Sequence, residues 1–304
     1  MKNCLLSIIL LLIAISFSFG AEEKGCRIGA FLADQPTAKD IAAFKKTFGK
    51  APSLVMVFTD WDHYISEKVL NDIYSQGAQA IITWEPWSFE SQLSINPNDL
   101  LAGRHDTYLS SFAKQLKTLK KPVFLRFAHE MNGNWYPWSG DKWGAEKYIA
   151  VCQHIHKLFA RENANNVRWI FSINREDIPD TNSYHLYYPG DNFIDYIGID
   201  GYNWGNTRPW SHWQTFSDLF LKIRKDILSR YSKPIIISEF SSTTQGGDKA
   251  IWIKNAMETL KEWPDTKAAV IFNIDKETDW HFTPGSTAAE ELKKQLSHRY
   301  FTGR

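Results

Sequence analysis

What this chain lacks narrows what it can be. Thirty-five Lys and Arg stand against 34 Asp and Glu, a net charge of +1. No field of one sign draws nucleic acid or an anionic membrane, and neither is expected as a partner. Three cysteines are too few for a disulfide framework. Cys4 lies in an N-terminal apolar stretch, leaving Cys26 and Cys152. These two could pair in an oxidising compartment or stay apart, since one opens a strand and the other sits within a helical stretch. Two isolated thiols make no metal site, and His154 and His156, two apart on a helix, share no face. No metal and no cofactor are expected. There is no Asn-x-Ser/Thr sequon, repeat, low-complexity tract or linker, so one domain is expected. No Gly-x-Gly-x-x-Gly follows the first strand, which argues against an open nucleotide-binding sheet.

Residues 1–20 carry Lys2, an apolar run over about 5–19 and then the small residues Ser18 and Gly20. This is the layout of a secretory signal peptide cleaved after Gly20. The run is short of the ~20 residues that span a bilayer, and no later stretch is long enough. A secreted, monomeric protein is expected. Aromatics are plentiful: 14% of residues, with 13 Trp. Flat apolar rings with a polar edge suit the CH-rich faces of sugars as well as they suit cores.

Strand and helix signals alternate from end to end. Apolar runs of strand length lie at 26–32, 54–59, 79–84, 122–128, 167–173, 194–200, 234–239 and 268–274. Helical periodicity occupies 38–48, 66–76, 105–120, 144–162, 215–231, 248–262 and 287–298. The connection 175–193 is too polar and too rich in Pro and Tyr to read as a helix. Eight strands with intervening helices predict an α/β fold, a (β/α)8 TIM barrel over 21–304. In such a barrel the C-terminal strand ends meet at one rim. That rim collects Asp60, His63, Trp84, Glu85, Trp87, Arg126, His129, Glu130, Asn174, Asp200, Tyr202, Trp204, Glu239, Asn273, Asp275 and Trp280.

Two segments stand out there. In 122–138 an apolar strand erupts into Arg126, His129 and Glu130 and then a loop rich in Trp and Gly. In 234–240 a second apolar strand ends in Glu239. Charged groups at the end of a buried strand are costly unless that end opens into a cleft. Paired carboxylates across a cleft suit glycosidic bond cleavage, one as proton donor and the other at the anomeric carbon. Either role is open to either residue from pattern alone. The neighbours divide them: Tyr202 stands beside the seventh strand, where its hydroxyl would hold Glu239 ionised. His129, Trp135 and Trp138 make the setting of Glu130 more apolar, which would raise its pKa towards that of a general acid. Arg126 either reaches the pocket base or pairs with Glu130.

Residues 126–138, with Gly198-Ile199-Asp200-Gly201-Tyr202-Asn203-Trp204 and Ile237-Ser238-Glu239-Phe240, resemble glycoside hydrolase family 26, the β-mannanases and related β-glucanases. The resemblance covers nearly all of 21–304. It implies a (β/α)8 barrel, a retaining mechanism, Glu130 as acid/base and Glu239 as nucleophile. It further implies that His129 contacts the sugar at the cleavage point, Tyr202 partners Glu239, and Trp135 and Trp280 are stacking platforms. Trp84, Arg126, Asp60 and Asn174 complete the expected substrate-binding set. Two segments depart from the usual pattern. Arg126-Phe127-Ala128 stands where many mannanases have Arg-Pro, and Trp84-Glu85-Pro86-Trp87 resembles a subgroup that includes mixed-linkage glucanases. The expectation is an endo-β-1,4-mannanase acting on mannan or glucomannan. The alternatives are a mixed-linkage β-1,3-1,4-glucanase and a carbohydrate-binding protein without catalysis.

Overall fold

The computed structural model describes residues 25–303. The expected leader, 1–20, lies outside them, as does Cys4. Eight parallel strands close into a barrel: β1 (Cys26–Phe31), β2 (Leu54–Thr59), β3 (Gln79–Trp84), β4 (Val123–Phe127), β5 (Val167–Asn174), β6 (Tyr196–Asn203), β7 (Ile235–Ser242) and β8 (Thr266–Phe272). Pairing runs in chain order, and β1 joins both β8 and β2. A two-residue strand, β9 (Phe301–Thr302), pairs with Cys26 and Arg27 at the start of β1. The helices are α1 (Ala38–Phe48), α2 (Glu67–Ser75), α3 (Pro97–Leu101), α4 (Asp106–Thr118), α5 (Ala145–Arg161), α6 (Phe216–Arg230), α7 (Lys249–Lys261) and α8 (Thr287–Leu296). Between β5 and β6 the chain makes two short 3-10 turns, 184–187 and 191–193, in place of an α-helix. This is the connection that the sequence marked as non-helical. Among the described residues no helix is long and apolar enough to cross a membrane.

Local chemistry sets the element ends. Thr37 and Asp40 form a capping box on α1, and Thr215 and Asp218 repeat it on α6. Asp248 caps α7 through the amides of Ala250 and Ile251. Alternation along each strand divides the apolar residues between two cores. Val55, Val57, Ile82, Leu125, Ile199 and Ile237 face the helices. Leu54, Met56, Ile81, Phe124, Ile170, Ile236 and Val270 fill the barrel. Cys26 and Cys152 are free thiols. Burial pushes both up to about 12, so neither is reactive at neutral pH.

Above the apolar layers the barrel interior turns polar. Gly198 makes this layer possible, because a Cβ there would lie 2.2 Å from Ser238 Oγ and 2.7 Å from Ser172 Oγ. Those two hydroxyls meet at 3.2 Å beneath Asp200. The register of β6 on β7 then slips: Ile199 faces Ile237, but Asp200 faces Glu239. The slip is a β-bulge, and it breaks the in–out alternation so that Ser238 and Glu239 both point inward while Phe240 returns to the helix side. Pairing continues beyond it to Asn203 and Ser242, three residues past the predicted ends of both strands.

Arg126 lies at the centre of this layer, fully buried. Its guanidinium donates to Asp200 Oδ1 at 3.0 Å and to Glu239 Oε1 at 2.5 Å. Truncating Arg126 to Ala leaves Asp200, whose carboxyl burial already pushes well above the usual carboxylate range, without its cation inside the barrel. We expect it to cost about 3–5 kcal/mol of stability, read as a lowered urea midpoint at pH 7; an unchanged midpoint would show that the pair contributes nothing.

Candidate active site

Five strand ends, β3 to β7, supply the polar cleft. Past β4 the backbone takes left-handed conformations at Ala128 (φ 46°) and Glu130 (φ 53°), which L-residues adopt at a cost. The turn is held by three backbone bonds. Ala128 N donates to Trp84 O, Glu130 N to Ser172 O and Gly133 N to Glu130 O. This geometry brings the Glu130 carboxylate back over the barrel. Its Oε2 accepts from Trp135 Nε1 at 2.8 Å and its Oε1 from Asn174 Nδ2 at 2.9 Å. Trp135 is 43% exposed, and its ring lies on Gly133, where a Cβ would come within 2.5 Å of it.

Burial raises the Glu130 carboxyl to about 7, and the charge of Glu239 adds to the rise. Asn174, Arg126 and Trp135 only partly offset this. Glu239 sits in another setting: Arg126 grips one oxygen and the Tyr202 hydroxyl donates to the other. Tyr202 keeps its proton because burial, then the charge of Glu239, lift it well above its ordinary value. Arg126 keeps its charge too; burial opposes it, but Asp200, Glu239 and Glu130 more than compensate. The two glutamates therefore differ in kind. One is a buried acid held by neutral donors, the other a carboxylate bound to a cation and a phenol.

His129 is buried, with Nε2 3.1 Å from Tyr136 Oη. Burial, then the charges of Arg126 and Lys276, hold it neutral. Trp138 donates to His129 O and stacks on Tyr136 at 4.4 Å, fixing this loop as an aromatic block. Asn132 ties the loop to the end of β5: its amide donates to Asn174 O, Glu176 O and Asp177 Oδ1, and its oxygen accepts from Asn174 N. Sequence reasoning missed Asn132, although it stands two residues after Glu130 in the motif.

Four expected sugar contacts take other roles. Trp84 belongs to the outward face of β3; it stacks on Trp61 at 4.8 Å and is sealed against α4. Asp60 is buried in a turn, accepting from the amides of His63 and Phe89 and from the His63 ring. Arg126 reaches no surface and acts on Glu239 rather than pairing with Glu130. Trp280 is near the cleft but has no exposed face. It backs Tyr202 at 4.8 Å and Trp204 at 4.9 Å. The Lys249 ammonium, buried under Phe282, donates to the carbonyls of Trp280 and His281, and Ser241 Oγ also donates to Trp280 O. No sequence signal singled out Lys249. Among the rim residues named earlier, Asn273 accepts from Phe282 N, while Trp204 is half-buried beside the exposed Trp210. Among the described residues no group of three or more His, Cys, Asp or Glu is placed to hold a metal ion.

The model of Glycosyl hydrolase family 26 matches residues 90–229, the span that carries Arg126, Glu130, Asn174, Asp200 and Tyr202. Over 97% of its length the chain is 37% identical to endoglucanase H of Acetivibrio thermocellus, of which it spans 33%. It is 33% identical to mannan endo-1,4-beta-mannosidase A and B of Caldalkalibacillus mannanilyticus over 27% of this chain and 16% of that protein. The chain thus spans a third or less of these two relatives. A β-mannanase structure from Bacteroides ovatus superimposes with TM-score 0.68 at 15% identity, covering 93% of this chain and 91% of that one, and shares the barrel. With this barrel, and with two differently held glutamates at its C-terminal rim, the chain belongs to glycosyl hydrolase family 26.

Proposed function

We propose that this protein is a secreted, retaining endo-β-1,4-mannanase, cleaving mannan or glucomannan by double displacement. One observation carries the reading: the opposed settings of Glu130, raised to about 7, and Glu239, held by Arg126 and Tyr202. Glu130 hands its proton to the glycosidic oxygen as that bond breaks. A Glu239 oxygen attacks the anomeric carbon from the other side, forming a glycosyl ester. Esterification removes the charge that helped to raise Glu130, whose pKa then falls. The same side chain, now ionised, takes a proton from water as that water releases the sugar. The neighbours provide this reversal without moving: neutral N–H donors at Glu130 tolerate both protonation states.

The substrate assignment draws on the mannosidase and β-mannanase relatives, and export draws on the leader-like segment 1–20. A second reading, a mixed-linkage β-glucanase, is favoured by the 37% identity to a protein named endoglucanase H. Reducing-sugar release separates them. Release from mannan and glucomannan supports the first reading, release from mixed-linkage glucan alone the second, and none from any supports a non-catalytic binder.

Glu239→Ala should lower turnover by at least about 10³-fold, equivalent to roughly 4 kcal/mol of barrier, while oligosaccharide binding persists by calorimetry. Substantial residual hydrolysis would mean that the nucleophile lies elsewhere. Glu130→Ala should lose about 10²–10⁴-fold on polysaccharide but far less on aryl glycosides whose leaving groups need no proton; equal losses on both would refute the acid role. In the wild type, kcat/KM on polysaccharide should fall as pH rises through about 7, since Glu130 then lacks the proton it must donate. A profile flat from pH 6 to 8 would contradict that assignment.

A further inference from the structure

A third carboxyl in the cleft is left unused by the chemistry above. Glu85 is the first residue after β3, its amide bonded to Thr59 O. Its side chain is 6% exposed, against 8% for Glu239, so each shows a comparably small window. The Oε2 atom accepts from Trp87 Nε1 at 2.8 Å. Among the described residues no hydrogen bond reaches Oε1; the His129 ring, held neutral, has its Nε2 3.9 Å away. Burial pushes the Glu85 carboxyl up to about 7, opposed by its Trp87 bond and by the charges of Lys276 and Arg126. The charge of Glu239 raises it further, and the Tyr136 hydroxyl feels the charges of Glu130, Glu85 and Glu239 alike.

A carboxyl kept in such a place without an ion-pair partner is a poor structural element. One hydrogen bond from Trp87 and the charges of Lys276 and Arg126 offset its desolvation only in part, and an apolar or amide side chain would fill the volume at lower cost. The surroundings are those of a sugar site. Phe58 lies 6.0 Å from the His129 ring, and Trp87 meets Tyr136 edge-on at 6.3 Å. An aromatic wall with one unsatisfied oxygen offers apolar contact for a ring face and a single directional hydrogen bond. A carboxyl titrating near neutrality suits a hydroxyl, which both donates and accepts.

We propose that Glu85 Oε1 hydrogen-bonds one hydroxyl of the sugar ring seated between Glu130 and Glu239, and so selects which hexose the cleft accepts. Hexoses that differ by one axial or equatorial hydroxyl present that oxygen in different directions, and only one direction meets a fixed Oε1. This rests on the reading of the cleft as a sugar-cleaving site. Trp87 holds Glu85 in place, and nothing in the chemistry of Glu130 or Glu239 requires it.

The test is a substrate–enzyme double-mutant cycle on the full chain. Wild type, Glu85→Ala and Glu85→Gln are assayed on an aryl oligosaccharide that the wild type cleaves, and on its monodeoxy analogues in the ring at the cleavage point. We expect one analogue to lose about 10- to 100-fold in kcat/KM with the wild type. Glu85→Ala should lose a similar factor on the parent compound and be indifferent to that deoxygenation. Glu85→Gln, which retains a donor and an acceptor, should keep most of the parent rate. Equal losses by Glu85→Ala on the parent and on every analogue would reduce Glu85 to a structural role, and a kcat/KM within twofold of wild type would also overturn the proposal. If the wild type cleaves no glycoside, the hydrolase reading fails first, and the cycle is run on oligosaccharide affinity by calorimetry. There, coupling to one hydroxyl supports the Glu85 assignment and its absence overturns it.

Discussion

One buried guanidinium organises this molecule. Arg126 is at the centre of the barrel's polar layer, bonded to Asp200 on one side and Glu239 on the other. Around it are four largely buried carboxyl groups: Glu85, Glu130, Asp200 and Glu239. One buried guanidinium, even with the charge of Lys276 acting on Glu85, does not hold four such groups ionised in a low-dielectric interior. Arg126 bonds directly to two of them, and burial pushes Glu85, Glu130 and, despite its bond to Arg126, Asp200 up towards their protonated forms. The division between an acid and a nucleophile on two chemically identical side chains follows from what holds each: burial among neutral donors at Glu130, a cation and a phenol at Glu239.

The fold exists in large part to deliver that arrangement. The bulge in β7 turns Glu239 inward to Arg126 when strict alternation would have sent it to the helix side. The left-handed residues Ala128 and Glu130 bring the second carboxyl back over the same cavity. Both features cost stability locally, as do the buried Arg126 Nε and His129 Nδ1, which have no hydrogen-bond partner among the described residues. Two apolar cores, inside the barrel and around it, supply what offsets them. The C-terminal rim carries the strain and the unsatisfied groups that bear on the site, at Ala128, Glu130, Arg126 and His129.

Much of this was legible in the sequence, and the failures are instructive. The eight strands and seven long helices show as periodicity, and the polar breaks after the fourth and seventh strands place Glu130 and Glu239 at one rim. Helix α3 is five residues long and β9 two, too short for periodicity to register. Parity defeated the reading of Trp84. In a strand as apolar on both faces as β3, neither face is marked, and the aromatic at its end belonged to the side that packs on α4. Asp60 was misread for a related reason, since a strand-end carboxylate serves a turn as readily as a ligand. The partner of Arg126 was hidden as well: its bonds run to β6 and β7, and the bulge that brings Glu239 within reach leaves no mark in the sequence. Trp280 is near the cleft, yet its face is covered by Tyr202 and Trp204, a packing detail beyond any motif.

The central claim is that Glu239, held by Arg126 and Tyr202, forms a bond to sugar. The most direct test incubates the protein with an activated 2-deoxy-2-fluoro glycoside of the sugar it cleaves, which slows release of a glycosyl-enzyme, followed by peptide mass spectrometry. The account predicts one sugar per chain, esterified to Glu239. A label on Glu130 or Glu85, or steady turnover of competent substrate with no covalent adduct, would contradict it.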